Sequence, residues 1–186
     1  NQSFCFKSIY TKNNSSEKSN FSLSDLITEI SNKNTDDSIE LVYSVTNSRG
    51  IIPESEKSRT IDSSSDKSNY KIIRKFDFGF NPSRINVGSI GMQKRDEVGV
   101  VSPIYDVFSV DKEIVNPYYF EYYLLSNIFK NNVKRYFLNA VRPKLDFEDL
   151  KLFPISIVHS GNLDENAELQ NRELLHIEKT IKLKKS

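Results

Sequence analysis

Asn116 followed by Pro117 opens the stretch that leaves this chain the fewest structural alternatives. Asparagine satisfies open amides at a helix start, and proline suits the first helical position. Tyr118, Tyr122, Leu125, Phe129, Val133 and Tyr136 then recur at the 3.6-residue period, which predicts one helix of about five turns. The chain also holds 12 Phe and 9 Tyr, enough large side chains for a core although only 37% of its residues are hydrophobic.

The other segments read as short alternating elements. Phe4 to Tyr10 has strand character, and Thr11 to Asn20 is a polar loop. Ser22 and Asp25 have capping-box-like spacing, and with Leu23, Leu26, Ile27 and Ile30 they predict a short helix. Ile39 to Thr46 is rich in β-branched residues and predicts a strand ending in the turn Asn47-Ser48-Arg49-Gly50. Pro53 to Asn69 is almost wholly Ser, Lys, Asp and Glu, so an exposed, mobile connection is expected. Tyr70 to Phe80 and Val98 to Val110 predict strands, and Pro103 marks a bulge or an edge in the second. Asp146 and Asp149 signal a short helix through Leu152, stopped by Pro154. Ala167, Gln170, Leu174, Ile177 and Ile181 make a narrow, heptad-like stripe on a terminal helix, which suits helix-on-helix packing. Lys182, Lys184 and Lys185 complement its dipole.

Several function classes drop out. No apolar run is long enough to span a membrane, and no secretion signal opens the chain, so a cytoplasmic protein is expected. The start at Asn1 instead of Met is expected of a processed chain or of a piece of a longer one. Cys5 has no partner for a disulfide, and with His159 and His176 it falls short of a zinc set, so no metal or cofactor is expected. Asn81-Pro82-Ser83-Arg84 carries only the first half of an adenine-methyltransferase motif, and no Gly-x-Gly loop precedes it. Glu54, Glu56 and Lys57 lie in a polar loop without the strand a Mg²⁺ nuclease needs. Gly88-Ser89-Ile90-Gly91 lacks the lysine of a phosphate-binding P-loop. No catalytic site is expected. With 26 Lys plus Arg against 25 Asp plus Glu, the charge of +1 also argues against coating nucleic acid by bulk electrostatics.

The run from Phe76-Asp77-Phe78-Gly79-Phe80-Asn81-Pro82-Ser83-Arg84-Ile85 to Asn86-Val87-Gly88-Ser89-Ile90-Gly91 resembles the target recognition domain of the DNA specificity subunit of type I restriction–modification enzymes. The resemblance continues through Gly99-Val100-Val101-Ser102-Pro103-Ile104-Tyr105, the helix after Asn116-Pro117, and Val141-Arg142-Pro143-Lys144-Leu145-Asp146-Phe147. It covers roughly residues 20 to 155, and the order and spacing of the blocks fit as well as their letters. The family usually has a glycine where this chain has Ala140, and a Pro-rich stretch where it has His159 to Gln170. The resemblance implies a protein that selects a DNA sequence while methylation and cleavage sit on partner methyltransferase and restriction subunits. Family members carry two recognition domains separated by long helices. This chain looks like half of one, either a piece or a half-length form pairing with a second copy through its C-terminal helix.

Within the motif, Asn81-Pro82 favours a tight turn and Gly88 and Gly91 permit close backbone approach. Ser83, Asn86 and Ser89 offer short polar groups around Arg84, which either grips a phosphate or forks onto the protein's own carboxylates or carbonyls. A block shared by domains that read different sequences cannot distinguish bases. Base reading is therefore assigned to Asn47, Ser48 and Arg49, to Lys57 and Arg59, and to Gln93, Lys94 and Arg95 with Asp96. Phosphate contact is assigned to Lys71, Arg74, Lys75 and Arg84, and to Arg142 and Lys144 with Lys130, Lys134 and Arg135 nearby.

The expected fold is α+β: a mixed, mostly antiparallel twisted sheet with flanking helices, and a coiled-coil-like C-terminal helix. Residues 1–160 form the recognition domain and 161–186 the helical spacer. The expected function is recognition of double-stranded DNA without chemistry of its own. The alternatives are a recognition fragment of a single-chain methyltransferase–nuclease and a protein-interaction module that never touches DNA.

Overall fold

The computed structural model of the chain describes residues 18–57, 66–139, 144–158, 168–176 and 179. The expected strand at Phe4 to Tyr10, together with Cys5, Arg59, Arg142 and His159, lies outside them. The strands are β1 (Lys18–Ser22), β2 (Ile27–Glu29), β3 (Val42–Thr46), β4 (Gly50–Pro53) and β5 (Lys71–Ile73), then β6 (Phe78–Phe80), β7 (Ile90–Met92), β8 (Gly99–Val101), β9 (Asp106–Val110) and β10 (Pro154–Val158). The helices are α1 (Pro117–Leu125), α2 (Asn127–Asn139) and α3 (Phe147–Lys151), and residues 168–176 are also helical.

The order β2-β9-β6-β7 forms an antiparallel first sheet, and β4-β3-β8-β5 forms the second. Only the β3–β8 pair is parallel among the described residues, so the fold is α+β, mixed and mostly antiparallel as the sequence suggests. A separate antiparallel ladder joins β1 to β10.

Side chains alternate across a strand, and the first sheet uses that alternation to divide its two faces. Phe78, Phe80, Met92 and Phe108 turn to the helices, where the Phe120 ring of α1 lies edge-on to Phe78 at 5.1 Å and to Phe108 at 6.1 Å. The opposite face carries Gly79 and Gly91, paired directly in the ladder, with Val107 beside Gly79. Against it pack Tyr43, Val45, Ile51, Ile73 and Val101 of the second sheet. A Cβ on Gly79 would stand 3.3 Å from Ile51 Cδ1, and one on Gly91 would fall 2.8 Å from the Gly50 Cα. The two sheets therefore meet almost backbone to backbone. Each aromatic ring buried on the other face contributes about 1.5–3 kcal/mol through its apolar area.

Several elements differ from the sequence reading. The helix expected from Ser22 is one 3₁₀ turn, Leu23–Asp25, followed by β2. Asp25 does accept from the Ser22 N–H at 2.8 Å, but the Ser22 hydroxyl donates to the Lys151 carbonyl at 2.7 Å. Pairing with β9 then claims the backbone of Ile27–Glu29, so tertiary pairing overrides a weak helical signal. The strand expected over Tyr70 to Phe80 divides at a turn in which Asp77 accepts from the Arg74 N–H at 2.7 Å and Phe76 takes a φ of 73°. The strand expected over Val98 to Val110 divides too: β8 joins the second sheet and β9 the first. Pro103 is neither bulge nor edge residue but lies in the turn that crosses between sheets, closed by Tyr105 N–H on the Ser102 carbonyl at 3.0 Å.

The long helix breaks at Ser126, whose ψ of 157° ends α1 while its hydroxyl accepts from the Phe129 N–H at 3.2 Å to start α2. The break rotates the buried stripe. Tyr119, Phe120, Tyr123 and Leu124 face the core from α1, while Tyr118 and Leu125 are exposed; Phe129 and Val133 face the core from α2 as expected. Asn116 caps α1 by accepting from the Tyr118 N–H at 2.9 Å, as its residue type predicts. The polar connection after Pro53 is anchored at its far end, where Lys67 is buried and its N–H donates to Asp37 at 3.1 Å. In the helical residues 168–176, Gln170 accepts from the Asn116 N–H at 2.7 Å and donates to the Ile114 carbonyl at 2.8 Å, and Leu174 packs on the main core. Two positions of the expected heptad stripe are thus spent on the chain itself, one on the entry to α1 and one on the main core.

Gly91→Ala is expected to cost about 2–3 kcal/mol of unfolding free energy, because the added methyl meets backbone, and Gly79→Ala only about 1, because Ile51 Cδ1 can rotate away. Urea unfolding of the two variants measures the difference, and equal losses would contradict the close sheet contact.

Candidate nucleic-acid interface

The turn between β6 and β7 is built from its own backbone. Ser83 N–H donates to Asn81 Oδ1 at 3.0 Å, Arg84 N–H to the Asn81 carbonyl at 2.9 Å, and Ser89 N–H to the Arg84 carbonyl at 3.2 Å. Ile85 is buried as the anchor, and Gly88 closes the turn with a φ of 94° that side chains rarely adopt. The Arg84 side chain is exposed and makes no hydrogen bond or ion pair among the described residues. Ser83 and Asn86 are exposed beside it.

Two distant segments come to this turn. From the second sheet, the turn 47–49 lies so close that a Cβ on Gly88 would sit 2.9 Å from the Asn47 carbonyl. Ser89 is buried there and donates to the Val45 carbonyl at 3.3 Å, which makes it a staple between sheets and not an exposed contact. Asn47, Ser48 and Arg49 are exposed, on a turn closed by Thr46 Oγ1, which accepts from the Arg49 N–H at 3.0 Å. From the other side, the Leu145 N–H donates to the Pro82 carbonyl at 3.0 Å and brings exposed Lys144 alongside. The Tyr136 hydroxyl reaches the Asp149 carboxylate at 2.5 Å and the Lys144 carbonyl at 3.1 Å, tying α2 and α3 to this segment. Lys130 and Lys134 are exposed on α2. Arg84, Lys144, Lys130 and Lys134 have no ion pair among the described residues.

The loop after β7 is organised differently. Gln93, expected to read bases, is fully buried. Its Nε2 donates to the Arg95 and Glu97 carbonyls at 3.0 Å each, and its Oε1 accepts from the Arg95 N–H at 2.6 Å. It shapes the loop from inside, because the backbone groups of a tight loop need partners and its amide meets three of them. The Tyr43 hydroxyl also donates to the Glu97 carbonyl at 3.1 Å, and burial, with Glu97 second, raises its pKa.

Most cations near this loop are already engaged. Lys75 pairs with Asp96 at 2.5 Å, Lys94 with Glu121 of α1 at 2.8 Å, and Arg95 with Glu56. Lys71 pairs with Asp106 at 3.2 Å, both side chains largely covered, which ties β5 to β9 across the two sheets. Lys71 is therefore a structural cation and not a ready phosphate contact. Arg74 and Lys57 are exposed. The pairs at Lys75, Lys94 and Arg95 are open to water, where such pairs are worth about 0–1 kcal/mol and exchange readily. None of the acidic partners is near its cation in sequence, so the reading along the chain missed them. Lys144's holder, Tyr136, was likewise seen only as part of a helix stripe. No group of His, Cys, Asp and Glu among the described residues could hold a metal ion, and no described helix is long and apolar enough to cross a membrane.

No family model matches this chain, and no curated protein does. Solved structures do match its fold. One, from work on complex assembly and conformational transition of the type I R-M system, has a TM-score of 0.66 at 12% identity, over 94% of this chain and 45% of that one. The HsdS subunit from Thermoanaerobacter tengcongensis has a TM-score of 0.64 at 14% identity, over 95% and 46%. The type I restriction–modification S subunit from M. genitalium has a TM-score of 0.50 at 13% identity, over 90% and 42%. The chain has the fold found in type I specificity subunits and spans under half the length of each.

Hydrogen bonding to Asp149, before burial, pushes the Tyr136 pKa up from 10.0 to about 12. A raised pKa means that the fold favours the protonated phenol. Its contribution is complete below pH 10 and is lost as pH rises towards 12. Tyr136→Phe is therefore expected to be less stable than the parent by a constant margin at pH 7–9, with the margin closing between pH 10 and 12 in urea titrations.

Proposed function

We propose that this chain reads double-stranded DNA sequence as the specificity subunit, or half of one, in a type I restriction–modification enzyme. The observation that carries the reading is the meeting of two sequence-distant segments on the turn 81–88: the exposed turn 47–49 and the segment that presents Lys144. Arg84 and Lys144 there have no carboxylate partner among the described residues, as phosphate-binding cations require. The likeness in fold to S subunits supports the same reading.

In this arrangement Arg84, Lys144, Lys130 and Lys134 hold the duplex backbone with Arg142, and Ser83 and Asn86 add short hydrogen bonds. Asn47, Ser48 and Arg49 on one loop, Lys57 and Arg59 on the next, and Lys94 and Arg95 on the third address base edges. Arginine and lysine suit guanine, and asparagine suits adenine. Arg74 and Lys75 lie further along the basic region. The chain performs no chemistry of its own and takes no cofactor; methyltransferase and restriction subunits of a cytoplasmic complex act on the DNA it selects. A second copy, or a second recognition half, reads the other part of a split site. Since Gln170 and Leu174 already serve the chain itself, pairing through the terminal helix uses its remaining faces.

A salt titration on random-sequence duplex, with methylation subunits added, tests the reading. Binding should weaken with salt, and Arg84→Ala and Lys144→Ala should each make the log–log slope shallower by about 0.9, equally across sequences. Arg95→Ala should instead change which sequences are methylated, costing about 1–3 kcal/mol of discrimination at one base pair. No binding even at low salt would replace this function with that of a protein-interaction module.

A further inference from the structure

Glu56 sits where two of the base-reading loops meet. Its carboxylate accepts from Arg95 Nη2 of the loop after β7, and its backbone carbonyl accepts from Arg49 Nη2 of the β3–β4 turn at 3.3 Å. One residue at the end of the 3₁₀ turn Glu54–Glu56 thus holds guanidinium groups from two segments that are 46 positions apart by residue number (95 − 49). Both arginines are exposed, and Glu56 is exposed with them, so the clamp lies on the surface and not within the core. The turn itself is attached to the second sheet, where the Ser44 hydroxyl lies 3.5 Å from the Glu54 carboxylate.

From this geometry we infer that Glu56 is a positioning residue for sequence discrimination. It biases Arg49 and Arg95 towards one relative placement, and it competes with indiscriminate phosphate contact for Arg95. The inference rests on the DNA-reading function proposed above. An arginine restrained before binding loses less freedom when it meets a matching base edge. An arginine already paired also gains little by moving to a phosphate, because one charge-assisted contact only replaces another. A matching base offers Arg95 a bidentate acceptor in the direction in which it is held, and a mismatched one does not. Discrimination improves while general affinity falls, which is the pattern expected when a repulsive or competing element is built against the wrong partner.

Glu56→Gln keeps the backbone carbonyl for Arg49 and removes the charge that holds Arg95. The full chain, with methylation subunits, is titrated with salt on a random-sequence duplex pool and on the duplexes that the parent enriches from that pool. For Glu56→Gln, affinity for the unselected pool should rise roughly twofold to fivefold, the worth of a released surface ion pair. The salt slope should steepen by about 0.9, and the ratio of selected to unselected affinity should fall. The same substitution in an Arg95→Ala background should leave the slope where Arg95→Ala set it. If it steepens there equally, Glu56 acts only as a repelling charge and the inference is overturned, as it is if the single variant changes neither slope nor ratio while the parent binds. A parent that binds no duplex overturns both this inference and the function on which it rests. Unchanged urea midpoints are expected in both variants, since the clamp is exposed; a lowered midpoint for Glu56→Gln with no change in binding would make the residue structural.

Discussion

Two glycines facing each other across one ladder decide the shape of this protein. With Gly79 opposite Gly91, the middle of the first sheet has no side chain on one face, and the second sheet settles onto it until Gly91 meets Gly50. Neither sheet could be moved outward without exposing Ile51, Val45 and Ile73, and neither could approach further. The other face of the same strands carries Phe78, Phe80 and Met92, so the alternation that empties one side fills the other. The consequence reaches the surface. A seam fixed at Gly50 and Gly91 also fixes the loops that leave it, and so the turn 47–49 comes to rest on Gly88.

That placement reconciles a net charge of +1 with the proposed nucleic-acid interface. The cations that look concentrated along residues 71–95 are mostly answered by carboxylates brought from elsewhere: Asp106 for Lys71, Asp96 for Lys75, Glu121 for Lys94, Glu56 for Arg95. Among the described residues Arg84 and Lys144 at the motif turn have no such partner, and neither have Lys130 and Lys134 on α2. A few cations on one face give weak, salt-sensitive attraction, not tight binding. On the proposed reading, tight binding then needs a second recognition half and the enclosing subunits, whereas discrimination needs only the loops.

What could be read along the sequence was local in origin. The Asn116 cap, the Asp146 cap and the turn at Gly50 depend on residues within a few positions of one another, and each is found. The recognisable block from Phe76 to Gly91 was legible because it records the Phe-Gly-Phe and Ile-Gly-Met alternation of two paired strands. The failures share one cause, competition from distant partners. Ile27 and its neighbours leave a helical pattern because β9 offers them a ladder, and the Val98 to Val110 strand splits because its halves belong to different sheets. Ser126 gave too little local signal to reveal a break that rotates the buried face of α1. Gln93 resembled a donor in a polar loop, and only the loop's closed path shows that its amide is spent on Arg95 and Glu97.

The same division bears on how such a scaffold can vary. Groups that hold the loops, Gln93, Ser89, Thr46 and the glycine seam, are buried or bonded to backbone, and their loss would disturb the whole arrangement. Groups that face outward from the loops, Asn47, Ser48, Arg49 and Lys57, contribute little to the core, and exposed substitutions of that kind usually change stability by less than about 0.5 kcal/mol. The outward residues can therefore be exchanged at small cost to the fold, and a new set would still be presented at the same spacing. Arg95 stands between the two groups: its backbone is fixed by Gln93, but its side chain is held only by an exposed ion pair. A residue with a fixed root and an exchangeable contact is suited to respond to what the solvent, or a base edge, offers in place of Glu56.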